Sequence, residues 1–304
     1  MSHRPIVNAD DFRVEGEKAV LYGSLIALAI ILILLVGISF GVVLIVIALS
    51  VVWVKIRQGQ FLGQCVKVSE NQLPEVHQCA KVAAERLSME LPDVFVQQNP
   101  RLNAFAIGFL TEKNVVIFSA LIEAMNEDEL TSIIGHELGH VKCEHTTWCV
   151  ITGSAGGFQI PIVSQIMELI FLFWSRKAEY TADRAGLLAC RNLQAAITAE
   201  AKLAVGKHLF SKLNLEHLTE QKRDVDEDDV ARLSEAMATH PYVVNRIHAF
   251  RKFYESETYK RLTSELPDVT GSYCTKCGAQ NPSGGKFCIK CGDPLKTLKG
   301  GPLK

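Results

Sequence analysis

The chain has 304 residues, with 32 Lys+Arg against 33 Asp+Glu and a formal net charge of −1. That balance excludes a globally basic nucleic-acid-binding protein, and 48% apolar residues exclude general disorder. The average hides the distribution: Ala19–Val54, 36 residues, has no charged side chain, whereas residues 271–304 carry six Lys and one Asp.

Residues 1–18 read as a cytosolic leader ahead of the uncharged run. A single helix of 36 residues would extend about 54 Å, well beyond a hydrocarbon core of about 30 Å. Two passes turning near Gly37, Ser39 and Gly41 fit better, so residues 19–54 are predicted to form an N-terminal transmembrane helical hairpin. Arg4, Arg13 and Lys18 precede the run and Lys55 and Arg57 follow it. The positive-inside rule then puts both ends in the cytoplasm. A secretory signal is excluded by the length of the run and by Asp10, Asp11, Glu15 and Glu17 in its leader.

Residues 58–265 have the composition of a mainly α domain with a small β-sheet. Glu75–Leu91 repeats apolar residues at helical spacing. Val94–Val96, Asn103–Gly108 and Asn114–Phe118 read as short strands. The next helix is predicted from Asn126, an N-cap with Glu129 three residues on, to about Cys143. Thr146–Trp174 is apolar but broken by Gly153, Gly156, Gly157 and Pro161, so it reads equally as membrane-lying helix or core. Ser175–Leu188, Leu193–Val205 and Asp229–Ala238 read as helices, and the cluster Asp224, Asp226, Glu227, Asp228 and Asp229 as a solvated loop.

His136-Glu137-Leu138-Gly139-His140 lies inside the capped helix. Residues four apart stand one turn above each other, so His136 and His140 can direct two imidazoles at one metal ion. Glu137 is beside them, placed to reach a water on that metal without ligating it. A catalytic zinc site usually needs a third protein ligand. Glu179, on the helix 39 residues beyond His140, is the candidate, and Asp183 one turn on could accept a hydrogen bond from a ligand imidazole. His145, five residues after His140, is off the metal-facing stripe and reads as structural. His77, His208, His217 and His248 read as ordinary.

Three motifs combine: His136-Glu137-Leu138-Gly139-His140, Glu179-Tyr180-Thr181-Ala182-Asp183, and His240-Pro241 with Asn245-Arg246-Ile247. Together they resemble the HtpX-like integral-membrane zinc metalloproteases, gluzincins related to the CAAX prenyl endopeptidases. The likeness covers roughly residues 19–250. It implies a zincin-like catalytic domain, with His136, His140 and Glu179 as zinc ligands and Glu137 as general base on zinc-bound water. It also implies that Asn103-Ala104-Phe105 belongs to an edge strand that pairs with extended substrate. His240 or Arg246 would then supply a donor to the developing oxyanion. Known relatives carry two further spans after this helix, where this chain has only Thr146–Trp174.

Cys274-x-x-Cys277 and Cys288-x-x-Cys291 form a second metal pattern. Two such turns complete a closed tetrahedral zinc site, so residues 272–294 read as a structural zinc ribbon, followed by a basic tail at 295–304. A pair of disulfides is the alternative and would need an oxidising compartment. Cys65, Cys79, Cys143, Cys149 and Cys190 are an odd set, read as free thiols.

The expected whole is a zinc metalloendopeptidase in the cell inner membrane, with its catalytic domain and ribbon in the cytoplasm. Two zinc ions, one catalytic and one structural, are expected. Its expected partners are the lipid bilayer and polypeptide substrates, membrane or misfolded proteins. Nucleic acid is not expected. The competing reading is a catalytically idle membrane adaptor that recruits partners through its ribbon; an intact Glu137 speaks against it.

Overall fold

A computed structural model describes residues 7–35, 40–110, 112–151, 161–238, 240–265, 271–273 and 280–282. The four ribbon cysteines, and Gly37 and Ser39 of the expected turn, lie outside these residues. The N-terminal part contains α1 (Ala9–Phe12), α2 (Glu17–Leu35) and α3 (Phe40–Gln64). Gly41, expected at a turn, lies within α3. Next come β1 (Val66–Lys67), α4 (Pro74–Arg86), β2 (Asp93–Gln97), β3 (Ala104–Phe109) and β4 (Glu112–Phe118). The helical half follows as α5 (Ser119–Ala124), α6 (Glu127–Lys142), α7 (His145–Ile151), α8 (Pro161–Cys190) and α9 (Leu193–Val205). It closes with α10 (Lys207–Phe210), α11 (Leu215–Glu227), α12 (Asp229–Ala236), α13 (Val243–Tyr254) and α14 (Glu257–Glu265). A separate antiparallel pair, β5 (Gly271–Tyr273) and β6 (Gln280–Pro282), lies beyond.

The main sheet has the order β1-β2-β4-β3, with β2 and β4 parallel and the other pairs antiparallel. Strand side chains alternate between faces. Val94, Val115 and Ile117 therefore enter the core shared with α4 and α6, while Phe95, Val116 and Phe118 pack with Phe61 of α3 on the other side. Burial on both faces explains the unbroken apolar run Val115–Phe118. β3 is one of the two outer strands, and Asn103, expected on that edge with Ala104 and Phe105, sits just before it, where its carbonyl accepts from the Phe118 N–H at 3.0 Å.

Two expectations differ from the structure. The acidic cluster is not a loop: Asp224, Asp226 and Glu227 belong to α11, where Lys222 pairs with Asp226 at 2.5 Å and Arg223 with Glu227 at 3.8 Å. Charges at i,i+4 suit an exposed helix face as well as they suit a loop. Nor does the leader stand apart from the domain. Val7, Phe12 and Glu17 are buried, and Val7 and Phe12 join the same core as α4, α6 and α8.

Among the described residues, no helix is long and apolar enough to cross a membrane. Apolar side chains do stand exposed in stripes at helical spacing. They are Tyr22, Ile26 and Ile30 on α2, Ile45, Leu49, Val52 and Ile56 on α3, and Leu169 and Phe173 on α8.

Candidate metal centre

α6 begins as its sequence dictates. Asn126 accepts the Glu129 backbone N–H at 2.9 Å, and the Glu129 carboxylate returns to the Asn126 N–H at 2.8 Å. Glu129 is also buried, and it takes Lys202 at 2.6 Å and the Thr198 hydroxyl at 2.8 Å, tying α6 to α9. α6 then lies against α8 at very short range. A Cβ at Gly135 would stand 2.3 Å from the Ala189 Cβ, and one at Gly139 would stand 2.7 Å from the Ala185 Cβ. One at Gly186 would meet the Ser132 carbonyl at 2.7 Å. Small residues on both helices thus allow the close approach that brings Glu179 of α8 to the two histidines of α6.

The three predicted ligands converge. His136 Nε2 and His140 Nε2 are 3.1 Å apart, and they lie 3.6 Å and 3.5 Å from the two Glu179 carboxylate oxygens. Ligands held about 2.0–2.1 Å from a tetrahedral zinc ion stand about 3.3–3.4 Å from one another, so this donor set fits zinc. The outer ring nitrogens support the same conclusion. His136 Nδ1 is 3.0 Å from Asp183 Oδ1, and His140 Nδ1 is 2.9 Å from His145 Nδ1. With each Nδ1–H donating outward, both Nε2 lone pairs face inward, which is the tautomer a metal requires.

The charges around the site shift its groups in both directions. Burial pushes His136 down, but its hydrogen bond to Asp183 and the charges of Asp183, Glu179 and Glu137 outweigh that and raise it to about 9. Burial would raise Glu179; donation from His240 and the nearby imidazoles instead hold it well below the ordinary carboxylate range. His140 is lowered by burial and by neighbouring His136 and His145. Glu137 is raised, by burial first and by the Glu179 charge, although His136 and the Ala106 backbone N–H pull the other way.

The remaining predicted residues take definite places. Asp183 backs His136 as expected. His240 Nδ1 donates to Glu179 Oε2 at 3.1 Å, with most of its side chain exposed. Arg246 differs from the oxyanion donor expected of it. Its Nε donates to Asp183 Oδ2 at 2.9 Å and another nitrogen to buried Glu200 at 2.6 Å, so it fixes the carboxylate that orients His136. Glu137, His240 and Arg246 all line a cleft of about 660 Å³ that runs along β3 past Asn103, Ala104 and Phe105. Trp53 and Arg57 of α3 line it too, and nothing in the sequence marks them for that position.

Residues 70–253 match Peptidase family M48. The chain belongs to that family. The match spans the three candidate ligands, Glu137 and Arg246, so the M48 domain contains the whole constellation, in a family that uses zinc. Residues 273–295 match a zinc-ribbon domain, at the position of the two Cys-x-x-Cys turns. Plastoglobule-localized metallopeptidase 48, chloroplastic, of Arabidopsis thaliana is 32% identical to this chain over 216 residues, 66% of this chain and 63% of that protein. The chain thus covers less than two thirds of that relative.

Sequence reading missed the surroundings of His140. His145, expected to be structural, is the direct partner of His140. Its other nitrogen, Nε2, meets Glu17 Oε1 at 2.9 Å across a separation of 128 residues. No local spacing could signal that pairing.

Proposed function

We propose that this M48 protein is a membrane-anchored zinc metalloendopeptidase acting on membrane or misfolded proteins from the cytoplasmic side of the cell inner membrane. The observation that carries the catalytic part is the convergence of His136, His140 and Glu179 with Glu137 beside them, in a cleft floored by a strand edge. When bound there, zinc supplies Lewis-acid polarisation of a carbonyl and acidifies water. Glu137 takes the proton from the attacking water and returns it to the leaving amine. Burial raises its carboxyl above the ordinary range, the direction a proton acceptor needs. His240, the exposed donor at the cleft, stabilises the negative charge that develops on the scissile oxygen.

The outer edge of β3 aligns substrate. Among the described residues β3 pairs with β4 on one side only, which leaves an edge along the cleft where extended peptide can add without a sequence requirement. Membrane anchoring is supported by the 36-residue uncharged run and its flanking basic residues. It is also supported by the exposed apolar stripes on α2, α3 and α8. The ribbon, with its four thiolates and no open position, carries a second, structural zinc.

The test is cleavage of casein or a model membrane protein by zinc-loaded full-length protein, against Glu137→Gln. A loss of about 100-fold or more with zinc retained is expected. Equal rates would refute the mechanism.

A further inference from the structure

Each histidine ligand is backed by a hydrogen-bond partner, but the two are backed differently. His136 meets a carboxylate directly, on α8. His140 meets His145 at the start of α7, and His145 meets Glu17, the first residue of α2. Glu17 is 1% exposed and His145 2%. The buried Glu17 carboxylate is satisfied on both oxygens: Arg13 and His145 donate to Oε1 and the Thr181 hydroxyl donates to Oε2. Thr181 in turn accepts the Val14 backbone N–H at 3.0 Å.

The direction of this row is set from its far end. An ionised carboxylate only accepts, so His145 Nε2 must donate to Glu17. With a single proton, on Nε2, the His145 ring presents a lone pair at Nδ1, and His140 Nδ1, 2.9 Å away, is placed to donate to it. That leaves His140 Nε2 unprotonated and facing the metal position. The donors around Glu17 outweigh its burial and hold its carboxyl below the ordinary range, so it is the acceptor the row needs.

We infer that Glu17 and His145 are positioning residues for the metal ligand His140, so that the N-terminal segment before the uncharged run is a working part of the metal centre. The inference rests on the reading of His136, His140 and Glu179 as zinc ligands. It gives the burial of Val7, Phe12 and Glu17 a purpose: the segment delivers a carboxylate to the back of the site. α2 then starts at the metal centre and leads directly into the uncharged run.

Zinc affinity tests this without reference to catalysis. The full-length chain is titrated against a competing chelator, and His140→Ala identifies which bound zinc belongs to this centre. Glu17→Ala and His145→Ala should each weaken that zinc by about 10–100-fold. The same variants should shift the visible spectrum of cobalt substituted at the site. Glu17→Gln, which keeps an acceptor oxygen in nearly the same volume and preserves folding, should restore much of the affinity lost in Glu17→Ala. Ser88→Gly removes the acceptor of the Val7 N–H, so it loosens the same segment away from the row, and it should leave affinity unchanged. Unchanged affinity in both Glu17→Ala and His145→Ala would overturn the inference while leaving the zinc reading intact. So would an equal loss in Ser88→Gly, which would reduce the segment to packing. Absence of any His140-dependent zinc in the unmodified chain would overturn both readings.

Discussion

At the scale of single residues, the metal centre depends on what is missing from α6 as much as on what it carries. Gly139 lies between the ligand helices, and a methyl group there would meet the Ala185 Cβ at 2.7 Å and the Ala182 backbone at 3.1 Å. Backbone cannot yield as a flexible side chain does. Gly139→Ala should therefore cost about 1–3 kcal/mol of stability. Because Glu179 rides on the displaced helix, it should weaken zinc binding too. Thermal unfolding and chelator competition on one preparation check both; a variant as stable and as tight as the parent would show that the seam can relax. Glu137 and Glu179 were legible by motif, and the shared direction of His136 and His140 because a helix stacks residues four apart. Asp183 was legible for the same reason. The Glu17–His145 pairing was not, since it closes a separation that only the folded chain brings together. Arg246 was recognisable as part of the site by motif, but its partner, buried Glu200, sits on a helix whose sequence gave no sign of it.

Among the elements, α6 shows how a local signal and a tertiary one share a side chain. Glu129 completes the capping box predicted from Asn126, and it also pairs with Lys202 in the interior. These roles separate energetically. Asn126→Ala should cost about 1 kcal/mol, the usual value of a cap. Glu129→Ala should cost about 3–5 kcal/mol, because it leaves the Lys202 ammonium without its carboxylate. Denaturant unfolding of the two variants measures the difference, and equal losses would mean that the Lys202 pair contributes nothing. β3 makes a second prediction. If substrate adds to its open edge, a peptide N-methylated at the amides facing β3 should be cut at least about tenfold more slowly than its parent. Equal cleavage would remove the strand from substrate binding. Three of the sheet's four strands were readable from their β-branched and aromatic runs, and α6 from its cap; β1, two residues long, was not. α11 was not, because an exposed helix held by i,i+4 charge pairs has the composition of a solvated loop.

On the scale of the whole molecule, the near-neutral charge resolves into an uncharged run, an acidic body and a basic tail. The body reaches further toward the N-terminus than composition implied, because Val7 and Phe12 are core residues despite the polar sequence around them. Buried thiols report on that core. Burial pushes Cys79 and Cys143 up to about 12 and Cys190 to about 11, so all three should resist alkylation at pH 8 until the protein unfolds. Mass spectrometry of the alkylated protein checks this, and rapid labelling of Cys143 would show that the contact between the N-terminal segment and α6 opens readily.

The central claim is a zinc ion held by two imidazoles and one carboxylate, and X-ray absorption at the zinc edge tests it most directly. The measurement uses full-length protein in which Cys274, Cys277, Cys288 and Cys291 are changed to Ser, so that any remaining zinc reports the M48 site alone. The account predicts one zinc per chain with nitrogen and oxygen neighbours at about 2.0–2.2 Å and no sulfur. A sulfur shell at about 2.3 Å, or no retained zinc, would contradict it.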